Sequence, residues 1–189
     1  MLARAASEPS TLVLGLDASP AGFVEASRRA ARPARKGGLP NAAFVVAAAE
    51  DPPAELVGCS DALTIAFPWG SLLRGALALD DEAAAGIAML LAPGATATIL
   101  LAPAPRDRLE DVPTAAELLD PGSDAARSLG DRWQCRGMAV CGLRAATIEE
   151  VDAAHSSWAR RLRAGRDPDR PVARLELRGP AGDSLSRGA

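Results

Sequence analysis

Trp69, in Phe67-Pro68-Trp69-Gly70, and Trp158, in Ser156-Ser157-Trp158-Ala159-Arg160-Arg161, stand in polar or turn-forming surroundings in a chain that is 3% aromatic and has no tyrosine. A tryptophan between a proline and a glycine, at the end of an apolar run, is poorly placed for core filling. What an indole there can do is stack. A base laid on such a face gains about 1–3 kcal/mol, and proteins that modify one base draw it out of its stack and hold it between flat side chains. The two residues predict indoles facing each other across a gap as wide as a purine. Each has a plainer alternative. Trp69 could cap the core from a turn, and Trp158 shares helical spacing with Ile148, Val151, His155 and Leu162, a pattern that by itself favours burial. His155, the only histidine, has no nucleophile or acidic partner at a recognisable spacing and is not assigned a catalytic role.

Two acids could orient a nucleoside-like ligand. Asp17 closes the apolar run 11–17 (TLVLGLD), where open α/β sheets keep an acid to accept hydrogen bonds from ribose hydroxyls. A helix N-terminal acid favoured by the dipole is the equal alternative. Glu50 follows Ala47-Ala48-Ala49 at the end of the next apolar run, where small side chains leave room for a flat ring; a surface turn is the alternative.

These residues need elements to position them. The run 11–17 reads as a parallel strand, followed by a helix that opens on Pro20, carries Phe23, Ala26 and Ala30 on one face, and stops at Gly37-Gly38. Strands are expected at 41–48 and 62–67, a helix at 80–91, a turn at Pro93-Gly94, and strands at 95–101, 137–144 and 172–177. Thr147 with Glu150 is a capping box that opens a helix running to Gly165. The segment 103–129 has weak periodicity. Strands alternating with helices give an α/β sheet with ligands at the carboxyl ends of its strands.

The chain has 189 residues, room for one domain with a single core. Cys59, Cys135 and Cys141 are odd in number and have no metal-ligand spacing, so they read as buried and chemically silent, with no disulfide framework and no metal. No stretch is long and apolar enough to span a membrane, and a cytoplasmic protein is expected. The net charge of −3 hides a segregation. Cations gather at Arg28, Arg29, Arg32, Arg35 and Lys36 and again at Arg160, Arg161, Arg163, Arg166, Arg170, Arg174 and Arg178, whereas acids concentrate between positions 107 and 131. Such clustering suits a nucleic-acid backbone, although a GC-rich genome would also enrich arginine.

Taken in order, Gly15-Leu16-Asp17, Lys36-Gly37-Gly38-Leu39-Pro40-Asn41, Ala47-Ala48-Ala49-Glu50, Phe67-Pro68-Trp69-Gly70 with Leu72-Leu73-Arg74-Gly75, and Ser156-Ser157-Trp158-Ala159-Arg160-Arg161-Leu162 resemble the 16S rRNA adenine-N1 methyltransferases that confer aminoglycoside resistance at adenine 1408. The resemblance implies an α/β, class I S-adenosylmethionine-dependent (Rossmann-like) fold in a single domain. It implies Asp17 on the cofactor ribose and Ala49 and Glu50 beside its adenine. Pro68, Ser71 and Ser156 would complete that pocket, and Trp69 with Trp158 would sandwich the flipped base. Arg28, Arg29, Arg32, Arg161 and Arg166 would contact 16S rRNA in the 30S subunit, and the enzyme would act as a monomer. Pro33 falls where related enzymes carry another cation.

Such enzymes begin with a strand and a glycine-rich Asp-x-Gly-x-Gly turn near the methionine part of the cofactor. Here residues 1–6 resemble the end of the helix that follows that turn, so a piece of about 30 residues, one strand-turn-helix unit, is expected to be missing. Open strand edges, a split core and weak cofactor binding are the expected consequences, with a start codon assigned too far downstream as the favoured cause. The alternative function is a catalytically inactive RNA-binding remnant. A nucleotide-dependent oxidoreductase is a distant third, because no GxGxxG is present.

Overall fold

The computed structural model describes residues 1–180. By their contacts they gather into two compact units, residues 1–52 and Pro53 onward, where the sequence leads to the expectation of one domain. Each unit is built on its own sheet, one of two strands and one of four.

In the first unit, α1 (Leu2–Ser7) precedes β1 (Val13–Asp17), α2 (Val24–Ala30) and β2 (Ala42–Val46). β1 and β2 pair in parallel from Val13 opposite Ala42 to Asp17 opposite Val46. Asn41 fixes the entry to β2, its amide nitrogen lying 2.9–3.0 Å from the carbonyls of Ala5, Glu8 and Thr11. The expected long helix is shorter than its pattern. A 3-10 turn over Pro20–Phe23 leads into α2, which ends at Ala30 because Pro33 has no N–H to continue it; a second 3-10 turn, Ala34–Lys36, closes on Gly37. Gly38 is obligatory, since a Cβ there would lie 1.6 Å from the Arg32 carbonyl oxygen. Phe23 and Phe44 pack with ring centroids 5.2 Å apart.

The second unit holds β3 (Ser60–Ala66), α3 (Gly70–Ala76), α4 (Asp81–Leu90), β4 (Leu91–Leu101), α5 (Ala115–Leu119), α6 (Asp124–Gln134), β5 (Ala139–Ala145), α7 (Ile148–Ala153), α8 (Ser157–Arg161) and β6 (Ala173–Arg178). Its strand order is β3-β4-β6-β5. β3 and β4 are parallel, and β6 runs antiparallel to both β4 and β5. The Pro93-Gly94 turn forms, but inside β4: pairing with β3 jumps from Ser60–Leu91 to Ala62–Thr96, and Gly94 takes a φ of +73°.

Central position dictates the residues of β4 and β6, where Ile99, Leu101, Leu175 and Leu177 are fully buried. Burying each such side chain contributes about 1.5–3 kcal/mol. Leu77, Ile87, Leu118, Leu129 and Trp133 cover them from the helices. Trp133 is wholly buried, with its indole N–H donating to the Ala76 carbonyl at 3.3 Å. The weakly periodic segment supplies two of these helices, each with a capping side chain: Thr114 and Glu117 form a box on α5, and Ser123 accepts from the Ala126 N–H on α6.

The cysteines correct the sequence reading. Cys59, Cys135 and Cys141 are free, and all three are exposed. Cys141 alternates outward along β5, an edge strand, and Cys135 caps the carboxyl end of α6.

Candidate active site

The carboxyl end of β3 is where the chain becomes unusual. The Phe67 N–H continues the ladder to the Leu100 carbonyl at 2.9 Å, yet Phe67 has a φ of 56° and Gly70 one of 59°. For a bulky aromatic residue that conformation is strained, and such strain persists only where the surroundings enforce it. Between these two turns Pro68 is driven inward and buried, while Trp69 stands extended at the start of α3 with 48% of its surface exposed.

Trp158 reaches the same corner from another element. The single helix expected from Thr147 to Gly165 is two helices, because His155 adopts a φ of 50° and the Ser156 hydroxyl caps α8 by accepting from the Ala159 N–H at 3.2 Å. Trp158 is therefore in the first turn of α8, and His155 is exposed in the joint rather than on an apolar face. The half-buried Trp158 packs on a small apolar cluster that includes Phe67, Leu100, Ala102, Val151, Ala159, Ala164 and Val172. Its ring lies 5.6 Å from that of Phe67 at 30° and 6.2 Å from that of Trp69 at 49°.

Two residues 89 positions apart in sequence thus share one corner, but the gap read from the sequence is closed. A purine between parallel rings needs centroids about 7 Å apart, two contacts of roughly 3.5 Å. Here the centroids are 6.2 Å apart and the rings are tilted by 49°, so in this arrangement no base fits between them.

Ser71 is exposed on α3. Ser156 lines a cleft of about 300 Å³ together with Asp152, His155, Arg160 and Arg166; as a cap its oxygen accepts, which leaves its proton available. In the first unit, Asp17 ends β1 with an exposed carboxylate. Its Oδ1 accepts from the Ser19 N–H at 2.8 Å, and among the described residues Oδ2 has no partner. The backbone just beyond β2 is held beside it, the Ala47 N–H donating to the Asp17 carbonyl at 3.1 Å, and Ala49 and Glu50 follow in a half-buried bend. A carboxylate oxygen open at a strand's carboxyl end, next to a bend of small side chains, fits a nucleoside with ribose hydroxyls to donate.

The arginines divide into two kinds. Arg28, Arg29 and Arg32, at and beyond the end of α2, and Arg161 on α8 are exposed and have no carboxylate partner among the described residues. The late group, clustered along the sequence, is partly internal. Arg166 pairs with Asp152 at 2.7 Å, and that hydrogen bond holds the Asp152 carboxyl below the usual carboxylate range. Arg174 bridges Glu150 and Glu176, and Arg170 is buried against Asp107. The Arg144 guanidinium, then the Thr147 N–H and the charge of Arg174, pull Glu150 down to about 2. Neither Phe67 as a third ring nor Arg170 beneath Trp158 was assigned a role from sequence. Phe67 lay inside a conspicuous motif; Arg170 carried no signal beyond its charge.

The family model for 16S rRNA (adenine(1408)-N(1))-methyltransferases, NpmA, matches residues 1–176. The chain belongs to this family. A 16S rRNA (adenine(1408)-N(1))-methyltransferase of Streptoalloteichus tenebrarius is 38% identical over 165 residues, spanning 86% of this chain and 74% of that protein. An rRNA methyltransferase of Saccharopolyspora hirsuta is 40% identical over 151 residues, 75% of this chain and 89% of that one. Among solved structures, a tryptophan-to-alanine mutant of the Catenulisporales acidiphilia 16S rRNA (adenine(1408)-N(1))-methyltransferase with cosubstrate SAM superposes with a TM-score of 0.81 at 30% identity, covering 99% of this chain and 82% of that one. The 16S rRNA methyltransferase KamB gives 0.78 at 35% identity, covering 95% and 81%. The fold of this adenine-N1 methyltransferase family member is accordingly the class I, Rossmann-like methyltransferase fold, and the family's cofactor is S-adenosylmethionine. Among the described residues no helix is long and apolar enough to cross a membrane, and no group of three or more His, Cys, Asp or Glu side chains could hold a metal ion.

Proposed function

We propose that this chain methylates N1 of adenine 1408 in 16S rRNA, within the 30S subunit, and so protects the ribosome from aminoglycosides. The observation that carries the reading is the meeting of Trp69 and Trp158 at the carboxyl end of β3 in a member of this family.

Bound S-adenosylmethionine supplies an electrophilic methyl on a sulfonium. Neutral adenine already presents a lone pair at N1, so the protein must align and shelter the base rather than remove a proton. Trp69 and Trp158 do this by stacking. Their faces also favour the positive charge that the ring acquires on methylation. Asp17 would accept from the cofactor ribose and Ala49 and Glu50 would lie beside its adenine, while Pro68, Ser71 and Ser156 would supply further cofactor contacts.

Arg28, Arg29, Arg32 and Arg161 take rRNA phosphates directly. Arg166 exchanges Asp152 for a phosphate, a small cost because an exposed ion pair contributes only about 0–1 kcal/mol. The enzyme works in the cytoplasm as a monomer and without a metal. The alternative of a non-catalytic remnant is not favoured, since the family match spans residues 1–176 and the similar proteins are methyltransferases.

The test is transfer of labelled methyl from S-adenosylmethionine to purified 30S subunits, with the modified base located by a reverse-transcription stop. At saturating S-adenosylmethionine the wild-type chain should label adenine 1408, and Trp69→Ala and Trp158→Ala should do so about 10- to 100-fold more slowly. Equal labelling by the variants removes the indoles from the mechanism.

A further inference from the structure

Arg170 is the buried charged residue among the described positions, 1% exposed. Its Nη1 donates to the Ala102 carbonyl at 2.7 Å and to Asp107 Oδ2 at 2.8 Å, and Nη2 donates to Asp107 Oδ1 at 2.5 Å. Its Nε is buried with no partner. The guanidinium carbon lies 5.4 Å from the centre of the Trp158 ring. Asp107 is itself anchored, accepting from the Ala104 N–H at 2.9 Å. Burial pushes the Asp107 carboxyl up, and the Arg170 hydrogen bond, the Ala104 N–H and the charges of Arg170 and Arg106 together outweigh it, holding the carboxyl below its usual range.

A buried ion pair with an unsatisfied N–H is a poor way to stabilise a fold, because apolar side chains of similar volume do as well or better. What an apolar residue cannot do is hold an indole by charge and plane. A guanidinium against an aromatic face is attracted by the ring quadrupole, more so when desolvated, and this one is locked by a two-pronged carboxylate that leaves it a single orientation. The pair also joins Ala102, which follows β4, to the loop that leads into β6.

We infer that Arg170, clamped by Asp107, is a positioning residue that sets the angle of the Trp158 indole and so its readiness to stack on the target base. The inference rests on the reading of Trp158 as a base-stacking wall. It assigns Arg170 to the interior of the site rather than to the RNA-contacting face.

The test combines methyl-transfer kinetics on 30S subunits with 19F NMR of 5-fluorotryptophan-labelled protein, the three indole signals being assigned by Trp→Phe substitution. Arg170→Met keeps volume and removes charge; Arg170→Lys keeps charge and removes the fork. Arg170→Met should lower kcat about tenfold, leave KM for subunits within about twofold because phosphate contacts dominate affinity, and shift the Trp158 signal but not that of Trp133. Arg170→Lys should recover part of kcat. In the Trp158→Ala background, Arg170→Met should cause no further loss. An equal additional loss there, a fall confined to KM, or an unmoved Trp158 signal in Arg170→Lys overturns the inference. If Arg170→Met does not fold, Arg170→Lys and Asp107→Asn carry the same NMR test. Undiminished transfer by Trp158→Ala alone overturns instead the stacking role of that indole.

Discussion

At the scale of single residues, the three tryptophans separate by burial. Trp133 is enclosed and satisfied, Trp158 half-enclosed, and Trp69 half-exposed at a strained corner. Trp133→Ala should lose about 3–5 kcal/mol of stability, read by chemical denaturation, because it opens a core cavity. Trp69→Ala should leave that stability nearly unchanged and lower methyl transfer about 10- to 100-fold, the equivalent of one lost base stack. A Trp69→Ala enzyme with full activity would mean that the exposed indole serves only the surface. The unpaired arginines make a different kind of prediction. Arg28→Ala should weaken subunit binding and reduce the slope of log affinity against log salt by about 1, whereas Arg174→Ala, which removes a partner of Glu150 and Glu176, should reduce stability and leave the salt slope alone.

The elements around the site are short and held by caps rather than by length. α8 has five residues and places Trp158 through the Ser156 cap. Ser156→Ala should cost about 1 kcal/mol and lower transfer, whereas Ser157→Ala, one position on, should do neither; thermal melting and methyl transfer measured in parallel check both. His155→Gly should raise stability by about 0.5–1 kcal/mol, since the left-handed joint before the cap suits glycine. A fall in melting temperature would show that the histidine side chain holds the joint. Glu150 links the cap of α7 to β5 and β6 through Arg144, Thr147 and Arg174. Its carboxyl titrates at about 2 in the folded protein against 4.5 for an unperturbed group, so its contribution is complete above pH 4.5 and lost as pH falls from there toward 2. Glu150→Gln should flatten the acid side of the melting-temperature profile over that range.

For the whole molecule, the two units differ in what holds them. The second has a four-stranded sheet with fully buried Ile99, Leu101, Leu175 and Leu177 on its central strands, while the first has two strands whose residues are partly or largely exposed. Amide hydrogen exchange should find β4 and β6 the most protected and β1 and β2 the least; equal protection would contradict that ranking. Much of this organisation was legible in the chain. Apolar runs marked all six strands of the described residues to within a few positions, because burial demands them whatever surrounds them. The capping box at Thr147 was visible because it needs only local neighbours. The sequence did not reveal that the helix after it breaks at His155, since helical spacing continued through a joint enforced by the Ser156 cap. Nor did it show that three cysteines face outward, because exposure on an edge strand is set by pairing and not by residue type. By itself, then, the sequence determined which residues are able to stack, which are able to accept and which carry charge, as these are properties of side chains. Only the tertiary structure decided that the Trp69 and Trp158 rings lie tilted with centroids 6.2 Å apart, and that Arg170 lies against the Trp158 ring while Arg161 faces solvent. Distance between residues far apart in the chain is fixed by how strands and helices pack, and no local pattern encodes it.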